Sequence, residues 1–352
     1  MNLKDQIAAR IRANGPMPLA DYMAECLLHP AFGYYATREP FGTNGDFVTA
    51  PEVSQMFGEL IGLSLAQAWL DQGSPSVFTL AELGPGRGTL MADLLRAAAS
   101  VKGFLEAARI TLIEASPRLQ ELQRETLKGY QLTFAEHVTE LPEQPLFFVA
   151  NEFFDALPIR QFERRTSAWC ERLVGLDRDR LVIGLGPETD VPALSDRLPD
   201  TREGDVVEYA PQAAPIVDAL TMRIAMHGGA GLIVDYGDWR SLGDTLQAVK
   251  AHRYTDVLDT PGACDLTAHV DFEVIARAAR CAHTKLTPQG VFLERLGITQ
   301  RARALAGQLH GEPLDRHIRA HWRLTHPDEM GNLFKVFGLF AAGHPPPPGL
   351  EQ

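Results

Sequence analysis

Cysteine is scarce in this chain. Only Cys26, Cys170, Cys264 and Cys281 occur in 352 residues, and none forms a Cys-x-x-Cys pair. That argues against a disulfide framework and against the common zinc-site spacings, so reduced thiols are expected. Long apolar runs are also missing, and nothing approaches the ~20 residues a spanning helix requires. The first residues do not read as a charged start followed by an apolar core. Leu3, Ile7 and Ile11 instead recur at helical spacing, so no secretory signal is expected. Positive charge is in deficit, with 33 Lys and Arg against 45 Asp and Glu and a net charge of −12. A nucleic-acid backbone is therefore not the expected partner. An acidic surface suits a basic partner group such as an arginine or lysine side chain, and it equally serves solubility. His317 and His321 share a helical spacing with His326 nearby, but no cysteine or carboxylate completes a ligand set, so no metal is expected. Together these features lead us to expect a soluble intracellular protein.

What is present is ordinary globular composition, 45% hydrophobic and 22% charged, organised around Thr79-Leu80-Ala81-Glu82-Leu83-Gly84-Pro85-Gly86-Arg87-Gly88. The apolar run from Val77 to Leu83 predicts a buried strand, and Leu90 to Leu95 predicts a helix. The glycines between them allow a sharp turn and close approach to a ligand. A dinucleotide fingerprint would need glycine at position 89, where Thr89 stands, and the Gly-Lys-Ser/Thr ending of a P-loop is absent. The pattern Glu82-x-Gly84-x-Gly86-x-Gly88 instead resembles motif I of class I S-adenosylmethionine-dependent methyltransferases. Ile110 to Glu114 reads as the next strand. Its terminal Glu114 stands where a doubly wound sheet places an acid for ribose hydroxyls.

Along the rest of the chain, Leu19–Leu28 reads as a helix. The aromatic, Gly- and Pro-rich stretch 29–50 reads as a lid or channel wall, or as packing for the N-terminal helices. Val53–Gln72 reads as one long helix with Pro51 and Glu52 at its start. Ser116-Pro117 begins a helix over 118–128. Further strands are expected at Tyr130–Phe134, Pro145–Ala150, Gly228–Gly237, Gly290–Glu294 and Leu333–Phe340. Strands alternating with helices imply a parallel sheet. Trp169–Leu176 and Arg180–Leu185 read as an inserted hairpin around Asp177-Arg178-Asp179. Helices are expected over 213–226, 298–309 and 314–322, and the Pro345–Pro348 tail reads as disordered. The expected divisions are an N-terminal helical and lid region over 1–75 and a cofactor-binding half of the core over 76–160. An inserted hairpin and loop region for substrate over 161–228, a second half of the core with a helical insertion over 229–342, and a tail over 343–352 complete the chain.

Five segments together resemble the MidA-like methyltransferases, over about Asp21 to Phe340. They are Gly45–Gln55, Glu82–Gly88, Asn151-Glu152-Phe153-Phe154-Asp155-Ala156-Leu157-Pro158, Val234–Gly237 and Asp265–Phe272. That family includes a mitochondrial arginine methyltransferase that assists assembly of respiratory complex I. The resemblance implies an α/β class I methyltransferase (Rossmann-like) fold with a seven-stranded, mostly parallel sheet and helices on both faces. A helical N-terminal region and the inserted hairpin add to it. It implies S-adenosyl-L-methionine as cofactor and protein arginine methylation to the symmetric dimethyl product, with a complex I subunit or similar protein as partner. Without a mitochondrial presequence the chain looks like a bacterial, cytoplasmic member.

The residues suit such chemistry. Gly84, Gly86 and Gly88 are expected to admit the cofactor, with Glu82 near its methionine part, Glu114 on its ribose, and Asp46 and Thr49 closing over the methionine end. A guanidinium is essentially always protonated, so it needs carboxylates to hold it and take its proton. Glu152 and Asp155 fit that role. Asn151 can orient the reacting nitrogen, or it can serve only its own turn. His269 is a base or clamp candidate, or a structural histidine. Asn151-Glu152-Phe153-Phe154 lacks the prolines of the Asn-Pro-Pro-Tyr/Phe loop of amine-directed nucleic-acid enzymes, which disfavours DNA. Two alternatives stay open, a small-molecule methyltransferase and a non-catalytic assembly factor that keeps a cofactor pocket.

Overall fold

The computed structural model describes residues 2–37, 49–250 and 253–352. They divide into two compact units. The first takes the described part of Met1–Phe47 with Asp155–Ala214 and Asp238–Asp271; the second takes Val48–Phe154, Pro215–Gly237 and Phe272–Gln352.

The second unit is built on a mixed sheet. Its strands are β1 (Phe78–Leu83), β2 (Ala108–Ile113), β3 (Leu132–Ala135), β4 (Leu146–Asn151), β5 (Gly229–Asp238), β6 (Ala282–His283), β7 (Thr287–Pro288) and β8 (Phe334–Phe340). The spatial order is β6-β8-β5-β4-β1-β2-β3. Strands β3, β2, β1, β4 and β5 run parallel, while β8 is antiparallel to β5 and to the two short strands β6 and β7. Every residue of β1 is buried and only Asn151 of β4 is partly exposed, as expected where helices cover a sheet. Chain order reverses between β1 and β4, which creates a switch point at their carboxyl ends.

Helices α1 (Gln55–Asp71), α2 (Thr89–Ala98) and α3 (Pro117–Thr126) support that end. α1 and α2 meet closely because Gly58 and Gly62 lack a Cβ, which would lie 2.7 Å from Asp93 Cβ and 2.8 Å from Leu94 O.

Four expectations are corrected within this unit. Gly290–Glu294 is not a strand; it lies in helix α4 (Gln289–Arg295). A short buried apolar run fits either state, and tertiary contacts decide it. Gln289 Nε2 donates to Leu324 O at 2.9 Å, and Gly290 lies so close to Thr325 O that a Cβ would sit at 2.3 Å. The sheet edge is taken instead by the two-residue strands β6 and β7, both antiparallel to β8, so the sheet is a mixed one and not the expected seven-stranded, mostly parallel one. The long helix from Val53 is interrupted, because Ser54 is extended and its hydroxyl caps α1 through Met56 N at 3.3 Å, leaving Ala50–Val53 as a separate turn. The proline-rich tail is packed. Leu350 is buried in the core, Ser64 Oγ donates to Pro348 O at 2.9 Å, and Lys285 N donates to Glu351 O at 2.8 Å.

In the first unit, Trp169–Asp177 and Arg180–Thr189 form an antiparallel hairpin. Arg160–Arg164 joins it, followed by Val206–Tyr209, and Met17–Pro18 pairs on the other side. Gln247–Lys250 pairs with Arg253–Thr255 and Asp265–Thr267, a small sheet with no clear sequence period. Leu3, Ile7 and Ile11 of the N-terminal helix pack with Leu19, Tyr22, Met23, Val174 and Leu266. Among the described residues no helix is long and apolar enough to cross a membrane.

Candidate active site

The carboxyl ends of β1, β2 and β4 bring most of the expected residues of the second unit together. The turn after β1 runs through left-handed backbone, with φ +61° at Gly84, +51° at Gly86 and +81° at Gly88. Gly88 starts α2 with no side-chain cap, which leaves the first N–H groups of that helix at its positive end. Glu82 is 3% exposed, and burial pushes its carboxyl up to about 8 against one hydrogen bond from Met91 N. Its Oε2 is buried without a hydrogen-bond partner among the described residues.

Glu114 follows β2 and is held on its own loop. Its Oε1 accepts from Ser116 N at 2.8 Å and its Oε2 from Gln123 Nε2 at 3.2 Å. Burial raises this carboxyl, and those bonds partly offset the rise. The Gln123 amide, on α3 and fully buried, also donates to Gly86 O at 2.8 Å and so ties the glycine turn to Glu114. Gln123 was not expected in the site. A glutamine on a helix carries no sequence signal for burial beneath a loop 37 residues earlier. Nor was the Thr89 hydroxyl expected to donate to Glu52 Oε1, at 2.6 Å.

After β4 the backbone turns through Glu152, a non-glycine residue at φ +50°. Such a conformation costs about 1–2 kcal/mol and persists where the surroundings impose it. Here Glu152 N donates to Val234 O at 2.9 Å, and Glu152 Oε1 accepts from Ala50 N at 3.3 Å and Asn151 Nδ2 at 3.1 Å. Asn151 Oδ1 is buried with no hydrogen-bond partner among the described residues. Asp235, fully buried on β5, accepts from Phe154 N at 3.0 Å and Tyr236 N at 2.9 Å. The ring of Phe153 would stand 3.1 Å from a Cβ at Gly84, so the loops after β1 and β4 touch.

Thr49 stands at the N-cap of Ala50–Val53 but makes no capping bond there. Asp46 and the rest of the expected lid over 38–48 lie outside the described residues. Asp155 and His269 belong to the first unit, where Asp155 O accepts from Ala268 N at 3.0 Å. Asp265 accepts from Tyr35 OH at 3.0 Å. His317 and His321 face Ala302 O at 2.9 Å and Thr299 Oγ1 at 3.0 Å, while His326 stacks on Trp322. Among the described residues no cluster of His, Cys, Asp and Glu could hold a metal ion.

A glycine turn, two strand-end carboxylates and a helix N-terminus thus meet at the switch point, the place where open α/β sheets bind ligands. Comparison with known proteins identifies the class. Residues 60–291 match the family described as "Putative S-adenosyl-L-methionine-dependent methyltransferase". The chain is 37% identical to the mitochondrial protein arginine methyltransferase NDUFAF7 of Danio rerio, over 95% of this chain and 85% of that protein. It is 36% identical to the Homo sapiens protein of the same name, over 94% and 81%. A crystal structure of a Burkholderia thailandensis protein bound to S-adenosyl-homocysteine superposes with a TM-score of 0.84 at 30% identity, covering 99% of this chain and 93% of that one. The chain belongs to this family of S-adenosyl-L-methionine-dependent methyltransferases.

Proposed function

We propose that the chain methylates arginine side chains of a protein, with a subunit of respiratory complex I or a similar protein as acceptor and the symmetric dimethyl form as product. The names of the relatives at 36–37% identity support the arginine acceptor. The observation that carries the reading is Glu152, held at φ +50° at the end of β4 beside the glycine turn.

The core unit fits the cofactor. Glu82 Oε2 and Asn151 Oδ1 are buried acceptors without partners among the described residues, and a cationic ligand rich in N–H and O–H donors is the kind of group they would satisfy. Gly84, Gly86 and Gly88 would let the backbone approach that ligand. Glu82 would hold its ammonium, Glu114 its ribose hydroxyls, and Asp46 and Thr49 its methionine end. The order of the parallel strands supports the class I methyltransferase variety of the α/β fold. When bound, the cofactor supplies an electrophilic methyl group.

The side chains at β4 do the rest. Asn151 gives its amide N–H to Glu152, which leaves Oδ1 turned toward other donors; a guanidinium N–H is such a donor. Glu152 would hold the guanidinium by a charge-assisted bond and take the proton that the nitrogen loses. Alignment accounts for much of the remaining rate. Asp155 and His269, in the first unit, are assigned to binding the acceptor protein.

The test is incubation with labelled cofactor and the peripheral arm of complex I, followed by mass spectrometry of arginine-containing peptides. Label on arginine is expected, as dimethylarginine with the fragmentation of the symmetric isomer. No label on any arginine would exclude this acceptor.

A further inference from the structure

In the first unit a row of polar residues crosses the sheet and ends at His269. Arg172, Gln161 and Glu208 lie side by side on three adjacent antiparallel strands, Gln161 opposite both of the others. Gln161 is fully buried and Glu208 is 7% exposed. The segment Asp244-Thr245 closes over this row. Asp244 accepts from Arg172 Nη1 at 2.6 Å and from Gln161 Nε2 at 2.7 Å. Glu208 Oε1 accepts from Gln161 Nε2 at 2.7 Å and from Thr245 N at 3.0 Å, and its Oε2 accepts the Thr245 hydroxyl.

The direction of that last bond matters. A threonine hydroxyl has one proton and two lone pairs. With the proton given to Glu208, the oxygen is left as an acceptor, and His269 N donates to it at 2.8 Å. The preceding amide, Ala268 N, donates to Asp155 O at 3.0 Å. Strand Asp265–Thr267 pairs with Gln247–Lys250 just before this point, with Thr267 opposite Gln247. Two consecutive amides are thus anchored to two different segments, which sets the peptide planes on either side of Ala268 and the point from which the His269 side chain leaves the chain.

A buried carboxylate is a costly anchor. Apolar residues of similar volume would often give equal or greater stability. Hydrogen bonds between such buried groups specify geometry instead, and here they hold Glu208 and Asp244 while Gln161 Oε1 has no hydrogen-bond partner among the described residues. We infer that Thr245, with its hydroxyl proton taken by Glu208, is a positioning residue for His269. The assignment of His269 to the acceptor rests on the proposed function; the positioning itself does not.

Amide hydrogen exchange, acceptor saturation and cofactor binding, measured on the full chain, test this together. Thr245→Val should raise exchange at the His269 amide about tenfold, the effect of losing one hydrogen bond. It should raise the KM for the complex I peripheral arm by a similar factor and leave cofactor affinity unchanged. Thr245→Ser keeps the hydroxyl and should restore both. Glu208→Gln keeps Thr245 but puts an amide donor against its oxygen, so it should also raise His269 exchange; it serves where Thr245→Val does not fold. Wild-type exchange at His269 in both Thr245→Val and Glu208→Gln, or no rescue by Thr245→Ser, would overturn the inference. If the wild-type protein puts no label on the peripheral arm, the acceptor reading fails by itself. Positioning is then decided by exchange together with the NMR titration of the His269 imidazole, which should move in Thr245→Val and return in Thr245→Ser.

Discussion

At the scale of single residues, burial of Glu82 ties ligand binding to pH. Its carboxyl titrates near 8 in the folded chain, above the ordinary value of 4.5. Between those values the folded state holds a proton that the unfolded state has lost. The resulting stabilisation is complete below about pH 4.5 and fades as pH rises to about 8. Glu82→Gln removes the titration, so its melting temperature should overtake that of the wild type as pH goes from 6 to 9, as followed by circular dichroism. Cofactor affinity measured by calorimetry should rise over the same interval in the wild type, as the carboxylate forms for the cationic ligand, and stay flat in Glu82→Gln. Equal pH profiles in the two proteins would remove Glu82 from the cofactor's cationic end. Glu152 is tested by rate. Glu152→Gln keeps shape and loses the charge, so methyl transfer should fall about 10²- to 10⁴-fold, the usual contribution of a general base. Cofactor affinity should hold. An unchanged cellular phenotype in that variant would favour the non-catalytic assembly reading. The acidic character of both sites is readable in sequence, since Glu82 and Glu152 stand at the ends of apolar runs. The positive φ at Glu152 is not, because it is imposed by Val234 and Ala50, neither of them a chain neighbour.

At the scale of elements, parallel strands place backbone against side chain across the sheet. A Cβ on Gly231 would lie 2.0 Å from Cε1 of Phe148 on the adjacent strand. Gly231→Ala should therefore destabilise by about 3 kcal/mol, the upper end of overpacking costs, seen as a lower denaturation midpoint. The C-terminal residues behave as a core element. Leu350→Ala should lose about 2–5 kcal/mol, as other buried leucines do. A melting temperature unchanged by Leu350→Ala would show that the tail does not belong to the core. Four prolines in a row argued for disorder by composition, but composition does not register one leucine buried two residues later. The same limit explains Gly290–Glu294. Its apolar run is short enough for a strand, and only contact with Leu324 and Thr325 makes it a helix.

At the scale of the whole molecule, a ligand that binds only the folded chain stabilises it by mass action. S-adenosylmethionine at 100 times its dissociation constant should add about 2.7 kcal/mol. Gly86→Val puts a β-branched residue at φ +51° in the glycine turn and should abolish that thermal shift. A full shift in the variant would place the cofactor elsewhere. The alternation of strands and helices, the glycine turn after β1 and the family were all legible in the order of the residues. These depend on local periodicity and on backbone freedom, which neighbouring residues report directly. Tertiary structure alone decided how Gln123 ties Gly86 to Glu114, how Glu52 meets Thr89, and how Thr245 holds the amide of His269. Each joins residues that are distant in sequence or in different elements, so its partner is chosen by how the strands and helices pack and not by the pattern on either side of it.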